Sequence, residues 1–219
     1  MREKFAWTEI GSIPNKSGVY AWYYAPEITD YDLESTIKIL RDSVHEMSFS
    51  EKRKIVVDLL ESAVFQYFAE EPYLAELRGA LKPSYKGTLK HEPSLSEALI
   101  SRILDNPDRL HTIKKVLERS APNFGSPLYL GMSGNLNERL KTHKFLINKY
   151  RTEMFQASNG HHTENHQMRD KSFAAAVASR NLAPSRLFVL VEVIDGEGDL
   201  YVDVENILNR IHFPLFGRN

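Results

Sequence analysis

The chain has no cysteine. That excludes a disulfide framework, a thiolate metal site and a cysteine nucleophile. No stretch approaches the ~18 apolar residues of a membrane helix, and Met1 to Ile10 contain no apolar signal core. A soluble, cytoplasmic protein is expected. An excess of charge of one sign is missing too. Lys and Arg number 28 against 29 Asp and Glu, for a net charge of −1. Such a balance weighs against a surface that coats nucleic acid nonspecifically, and leaves room for a local basic groove. There is no internal repeat and no low-complexity tract. Apolar residues are plentiful at 42% of 219 residues, enough to bury a core as one domain with an insertion or as two small domains.

Residues 18–24, Gly-Val-Tyr-Ala-Trp-Tyr-Tyr, are dense in β-branched and aromatic types and predict a strand, punctuated by Pro14 and Gly18 before it and Pro26 after it. Alternation puts Tyr20, Trp22 and Tyr24 on one face and Val19, Ala21 and Tyr23 on the other. From residue 27 to residue 122 the texture turns helical. Leu33, Ile37, Leu40 and Val44 recur at helical spacing. Ser48-x-x-Glu51 and Ser94-x-x-Glu97 have the form of capping boxes, and Pro107 can open a last helix. Pro72, Gly79, Pro83, Gly87 and Pro93 break the middle of this block.

After a Pro, Asn, Gly and Ser break at 121–127, Leu128 to Met132 predicts a short strand. Asn135 to about Tyr150 predicts a helix with Asn135 as its N-cap. Residues 156–170 are polar and irregular, Ser172 to Leu182 is Ala-rich and helical, Arg186 to Ile194 is a strong strand, and Leu200 to Ile211 is a last helix stopped by Pro214. The expected architecture is a small α/β domain of residues 1–26 plus 123–219, with an inserted all-helical block at 27–122. Loop-closure entropy grows only slowly with length, so such an insertion is tolerable.

Four residues on two strands and one helix stand out. Tyr20 and Tyr129 stand on strands, and Arg139 and His143 lie four apart on one helix face, with Asn135 one turn earlier. A guanidinium there is placed to clamp phosphate oxygens. With the acid Glu205 further on, these are the parts needed to cut a phosphodiester. Lys141, Lys144, Lys149 and Arg151 add a local basic run, which suits phosphate contact and equally suits a solvated helix face.

The triplets Gly18-Val19-Tyr20 and Tyr129-Leu130-Gly131, with Asn135-Leu136-x-x-Arg139-Leu140-x-x-His143 after them, resemble the GIY-YIG nuclease family. The resemblance covers roughly residues 13–24 and 126–219, and the helical block has no counterpart in the minimal module. It implies a three-stranded antiparallel sheet flanked by helices. It implies an active site holding Tyr20, Tyr129 and Arg139, joined by His143 as in the restriction-enzyme branch. It implies Glu205 as the sole protein ligand to one Mg²⁺ or Mn²⁺, with Pro214 as the proline that follows.

The chain departs from the family at Leu130, usually isoleucine or valine, and at Gly217, where an asparagine is common. Asn219 is the only asparagine after Pro214 and takes the substrate-binding role. Met132 and Ser133 stand where the family often has a lysine. Chemically, Tyr20 is placed to take a proton from the attacking water, directly or as a phenolate. His143 is a second base or tunes Tyr20, and Tyr129 positions the water.

The expectation is therefore a divalent-metal-dependent DNA endonuclease of restriction or defence type, with Lys141 and Lys144 as further substrate contacts. Double-strand cleavage would take two protomers, since one site cuts one strand. The alternative is an inactive nuclease-like module for DNA binding or protein interaction. The inserted block would recognise sequence, dimerise or contact a protein partner. His161, His162, Glu164 and His166 read first as a polar loop, with DNA contact or zinc binding as the other options.

Overall fold

Gly18-Val-Tyr-Ala-Trp-Tyr-Tyr forms the central strand of the molecule's larger sheet because six of its seven residues have an apolar environment to fill. In the computed structural model this strand, β2 (Gly18–Tyr24), is buried at every position except Ala21. The structure describes residues 3–42, 46–70, 72–80, 82–90, 95–158, 172–195 and 198–216. The cluster His161 to His166 and the terminal Asn219 lie outside them.

The chain divides into two compact units, Met1–Ala25 with Ala121–Asn219, and Pro26–Ser120. The first unit is mixed α/β. Its antiparallel sheet has the order β1-β6-β2-β5, where β1 is Glu3–Ala6, β5 is Tyr129–Ser133 and β6 is Leu187–Val193. Three strands were expected from sequence, and there are four. The extra one, Glu-Lys-Phe-Ala, has no alternation to betray it. It forms because β6 offers an open edge, on which Glu3 pairs with Val191 and Ala6 with Phe188. β2 lies between β6 and β5, with Tyr20 opposite Gly131 on one side and Val191 on the other. Gly18 is required there, because a Cβ would stand 2.3 Å from the Glu192 carbonyl oxygen.

Helices α5 (Leu136–Ser158), α6 (Phe173–Ser179) and α7 (Leu200–His212) complete this unit. α5 runs further than its sequence pattern predicted, through Ser158. No helix of the described residues is long and apolar enough to cross a membrane.

The second unit contains α1 (Asp30–Asp42), α2 (Phe49–Ala63) and α3 (Glu97–Asp105). α4 (Arg109–Phe124) follows. Leu33, Ile37, Leu40, Val56, Leu60 and Ile103 form the heart of its own core. Ser48 and Glu51 make the expected capping box. α3 is capped by Ser96, whose hydroxyl accepts from Leu99 N–H, and not by Ser94, which lies outside the described residues.

The unit is not all-helical. β3 (Tyr73–Gly79) and β4 (Lys82–Leu89) form an antiparallel hairpin where the sequence showed only helix breakers. Pro83 and Gly87 are tolerated because both strands of a two-stranded sheet are edges, where a missing donor or side chain costs little.

Candidate active site

The pleat of β2 turns Tyr20 and Trp22 toward α5 and α6. α5 starts where it does because Asn135 caps it. The Asn135 side-chain oxygen accepts from Glu138 N–H at 3.3 Å, and Leu136 N–H donates to the Lys16 carbonyl. Two residues after the cap, the buried Asn137 side chain donates to the carbonyls of Gly11, at 3.1 Å, and Ile13, at 2.5 Å. This asparagine ties the helix to the chain leading into β2. Sequence reasoning passed over it because a polar residue on a helix carries no signal until its neighbours are known.

With α5 fixed, Arg139 and His143 present one face to the Tyr20 phenol. His143 Nε2 is 2.9 Å from Tyr20 Oη, and Arg139 Nε–H donates to the same oxygen at 3.3 Å. Tyr129 closes the group, its ring centroid 6.2 Å from that of Tyr20 and 5.6 Å from the His143 ring. Phe173 stacks on Tyr129 and on Trp22, walling the imidazole from solvent.

Gly131 makes room for both phenols. A Cβ there would lie 2.7 Å from Tyr20 Oη and 2.8 Å from Tyr129 Cε1. Gly131→Ala is expected to cost about 1–3 kcal/mol, the range for forced overpacking, in urea unfolding. Gly11→Ala, where the new methyl meets nothing within 4 Å, is the control. Equal midpoints for the two variants would show that the rings yield freely.

The electrostatics follow from this burial. Desolvation, and then the neighbouring Tyr129, push the Tyr20 phenol above its ordinary value of 10, against the opposing pull of Arg139. His143 is pulled down from 6.5 to about 3, first by burial and then by the Arg139 charge. At neutral pH the pair is therefore a phenol beside a neutral imidazole. Tyr20 is not a phenolate in this state, which narrows the two proton-accepting forms expected of it to one.

Glu205 comes from another helix. It lies half-buried on α7, which packs against β5 and β2. Leu208 and His212 of the same helix line a pocket together with Val19, Tyr20, Ala21 and Tyr23 of β2. Glu205 Oε1 accepts from the Asn209 side-chain amide at 2.5 Å. The Asn209 carbonyl oxygen is buried, with no donor among the described residues.

A carboxylate beside an orphaned carbonyl oxygen is a donor set that suits a hard dication. Among the described residues no group of three or more His, Cys, Asp or Glu could form a cage. Glu205 and Asn209 would therefore leave most of an ion's positions to water and substrate.

The remaining expected contacts are dispersed. Asn135 is occupied as the helix cap. Lys144 donates to the Trp7 carbonyl at 2.9 Å and lies over the Trp7 ring. Lys141 is exposed, and two residues on from Arg139 it falls on the far side of α5. Lys149 pairs weakly with Glu153 at 3.9 Å.

No protein-family model matches the chain, no curated protein matches its sequence, and no solved structure matches its fold.

Proposed function

We propose that this protein is a divalent-metal-dependent endonuclease that hydrolyses DNA phosphodiester bonds, of the GIY-YIG type and used in restriction or defence. One observation carries the proposal. Tyr20, Tyr129, Arg139 and His143, from two adjacent strands and one helix, converge on a single phenol oxygen. Structural packing alone does not call for a buried tyrosine hydroxyl, a guanidinium and an uncharged imidazole on one point. The adjacency of β2 and β5, with the first triplet's tyrosine opposite the second triplet's glycine, supports the same family reading.

In this reading Arg139 binds the scissile phosphate. Its half-exposed guanidinium offers terminal N–H groups to phosphoryl oxygens while Nε–H stays on Tyr20. Tyr20 Oη orients the attacking water, and the O–H proton has a ready acceptor in His143 Nε2 when that imidazole carries its proton on Nδ1. An anionic phosphate against Arg139 offsets one of the charges that depress His143, so substrate binding itself raises the basicity of the acceptor. Tyr129 flanks the water, and Phe173 with Trp22 keeps bulk solvent out. Glu205, steadied by Asn209, would hold the Mg²⁺ or Mn²⁺, which when bound stabilises charge on the departing 3′ oxygen.

The test is plasmid cleavage by purified protein with Mg²⁺, with Mn²⁺ and with EDTA. Discrete fragments that vanish with EDTA are the expected result. Diffuse nicking with the same metal dependence keeps the chemistry and removes the restriction assignment. Retained DNA binding without cleavage on plasmid, branched DNA or RNA would favour the inactive-module alternative.

A further inference from the structure

The β3–β4 hairpin sorts its residues by face. Register places Tyr73 opposite Leu89, Ala75 opposite Gly87 and Leu77 opposite Tyr85 on one side. The other side holds Leu74 opposite Thr88 and Glu76 opposite Lys86, with Arg78 bonded to Glu76 at 2.9 Å. The hairpin is a sheet of its own, so among the described residues the outer backbone edges of both strands pair with no other strand. An isolated two-stranded hairpin with this much exposed surface is marginal in water. Something beyond its own contacts is needed to justify it.

Charge indicates what. From Tyr73 to Lys90 the sequence carries Arg78, Lys82, Lys86 and Lys90 against the single acid Glu76, in a chain whose overall net charge is −1. Positive charge is thus concentrated on this ribbon while the rest of the chain is acidic on balance. In the regular part of β4, Lys86 and Thr88 alternate with Tyr85, Gly87 and Leu89, so an ammonium and a hydroxyl group share one face. Those are the side chains that most often contact phosphate and sugar. The ion pairs of Glu76 with Arg78 and with Lys86, the latter at 4.0 Å, involve cations more than three-quarters exposed and exchange readily for phosphate.

We propose that this hairpin is a second DNA contact, a β-ribbon whose Lys86 and Thr88 face lies against the phosphate backbone of duplex DNA. A two-stranded ribbon fits the major groove, which is about 12 Å wide. The inference rests on the nuclease reading for its choice of ligand, and its test is independent of turnover.

Binding of a random-sequence duplex is followed by fluorescence anisotropy in EDTA over a range of salt. The proteins are wild type, Lys86→Gln/Lys90→Gln, the conservative Lys86→Arg/Lys90→Arg, and Glu76→Gln. The Gln pair is expected to weaken binding roughly tenfold at low salt and to flatten the log Kd against log salt slope by about 2, one per lost phosphate contact. The Arg pair should retain the wild-type slope. Glu76→Gln, which removes the only acid, should tighten binding, a change in sign that a merely structural role would not produce.

An unchanged affinity and slope for the Gln pair would overturn the ribbon and leave the nuclease reading to the Mg²⁺ cleavage assay. So would a wild type that binds no duplex in EDTA. A Tyr73→Ser/Leu77→Ser variant serves as the counter-test by sedimentation. Loss of a dimer in that variant, with the salt slope unchanged throughout the set, would make the hairpin a contact between copies of this chain and overturn the DNA assignment.

Discussion

Tyr20→Phe is expected to lower single-turnover DNA cleavage by about 10²–10³-fold, and Arg139→Ala by a similar factor, the usual cost of removing one stabilising group from a preorganised site. The two substitutions reach the same oxygen from opposite directions. Tyr20→Phe keeps the ring that fills the space over Gly131 and removes only the hydroxyl, so packing is preserved while His143 Nε2 and Arg139 Nε lose their shared partner. Arg139→Ala keeps the phenol and removes the guanidinium proposed to clamp the phosphate.

If both act through one transition state, the double variant should lose far less than the product of the two single losses, because residues working as a unit are strongly non-additive. The measurement is the nicking rate of supercoiled plasmid with enzyme in excess, at fixed Mg²⁺. Rates within threefold of wild type for either variant would remove that residue from the chemistry. Multiplicative losses in the double variant would separate their roles.

Acid is expected to destabilise the fold through His143 in particular. Its pKa is about 3 in the folded chain and 6.5 in an ordinary setting, so between these values the unfolded chain binds a proton that the native one refuses. The sign is fixed by that difference. Stability from the neutral imidazole is whole above pH 6.5, falls as pH drops, and is exhausted near pH 3, where the native state protonates too.

Relative to pH 7.5, linkage gives a loss of about 2 kcal/mol at pH 5 and about 4 kcal/mol by pH 3.5 from this one side chain. Urea midpoints for wild type and His143→Gln at the two higher pH values isolate it, since every other titrating group is common to both proteins. The wild type should lose about 2 kcal/mol more than the variant on going to pH 5. Parallel losses would mean that the imidazole reaches water more easily than its packing against Phe173 and Trp22 indicates.

Much of the first unit was legible in sequence because its elements are periodic. β2 and β6 alternate or run apolar, and the spacing of Arg139 and His143 put both on one face of α5 before any coordinates. What escaped was whatever depends on a distant partner. β1 is four residues of unremarkable composition and exists only because β6, some 185 residues later, has an edge to fill. The hairpin was hidden because its apolar positions are interrupted by Gly and Pro, which read as breaks and not as edges.

Within the site, helix spacing put the guanidinium and imidazole on one face, and the family resemblance added the phenols. The fates of Lys144 on Trp7 and Asn209 on Glu205 followed from neither. Both are choices among several neighbours within a side chain's reach, and only the packed structure makes them.

The separation in sequence between Tyr20 and its partners also sets an order of events during synthesis. Arg139 is 119 residues and His143 is 123 residues downstream of Tyr20, and Glu3 pairs with Val191. Pro26–Ser120, by contrast, carries a core built from its own helices and can be complete while the rest is still being made. Strands β1 and β2 must therefore wait, without their sheet partners, until β5 and β6 have been made. A polypeptide interrupted before β5 and α5 holds Tyr20 without a guanidinium or imidazole to work with. Assembly of the cluster is thus a checkpoint passed only once synthesis has gone beyond α5.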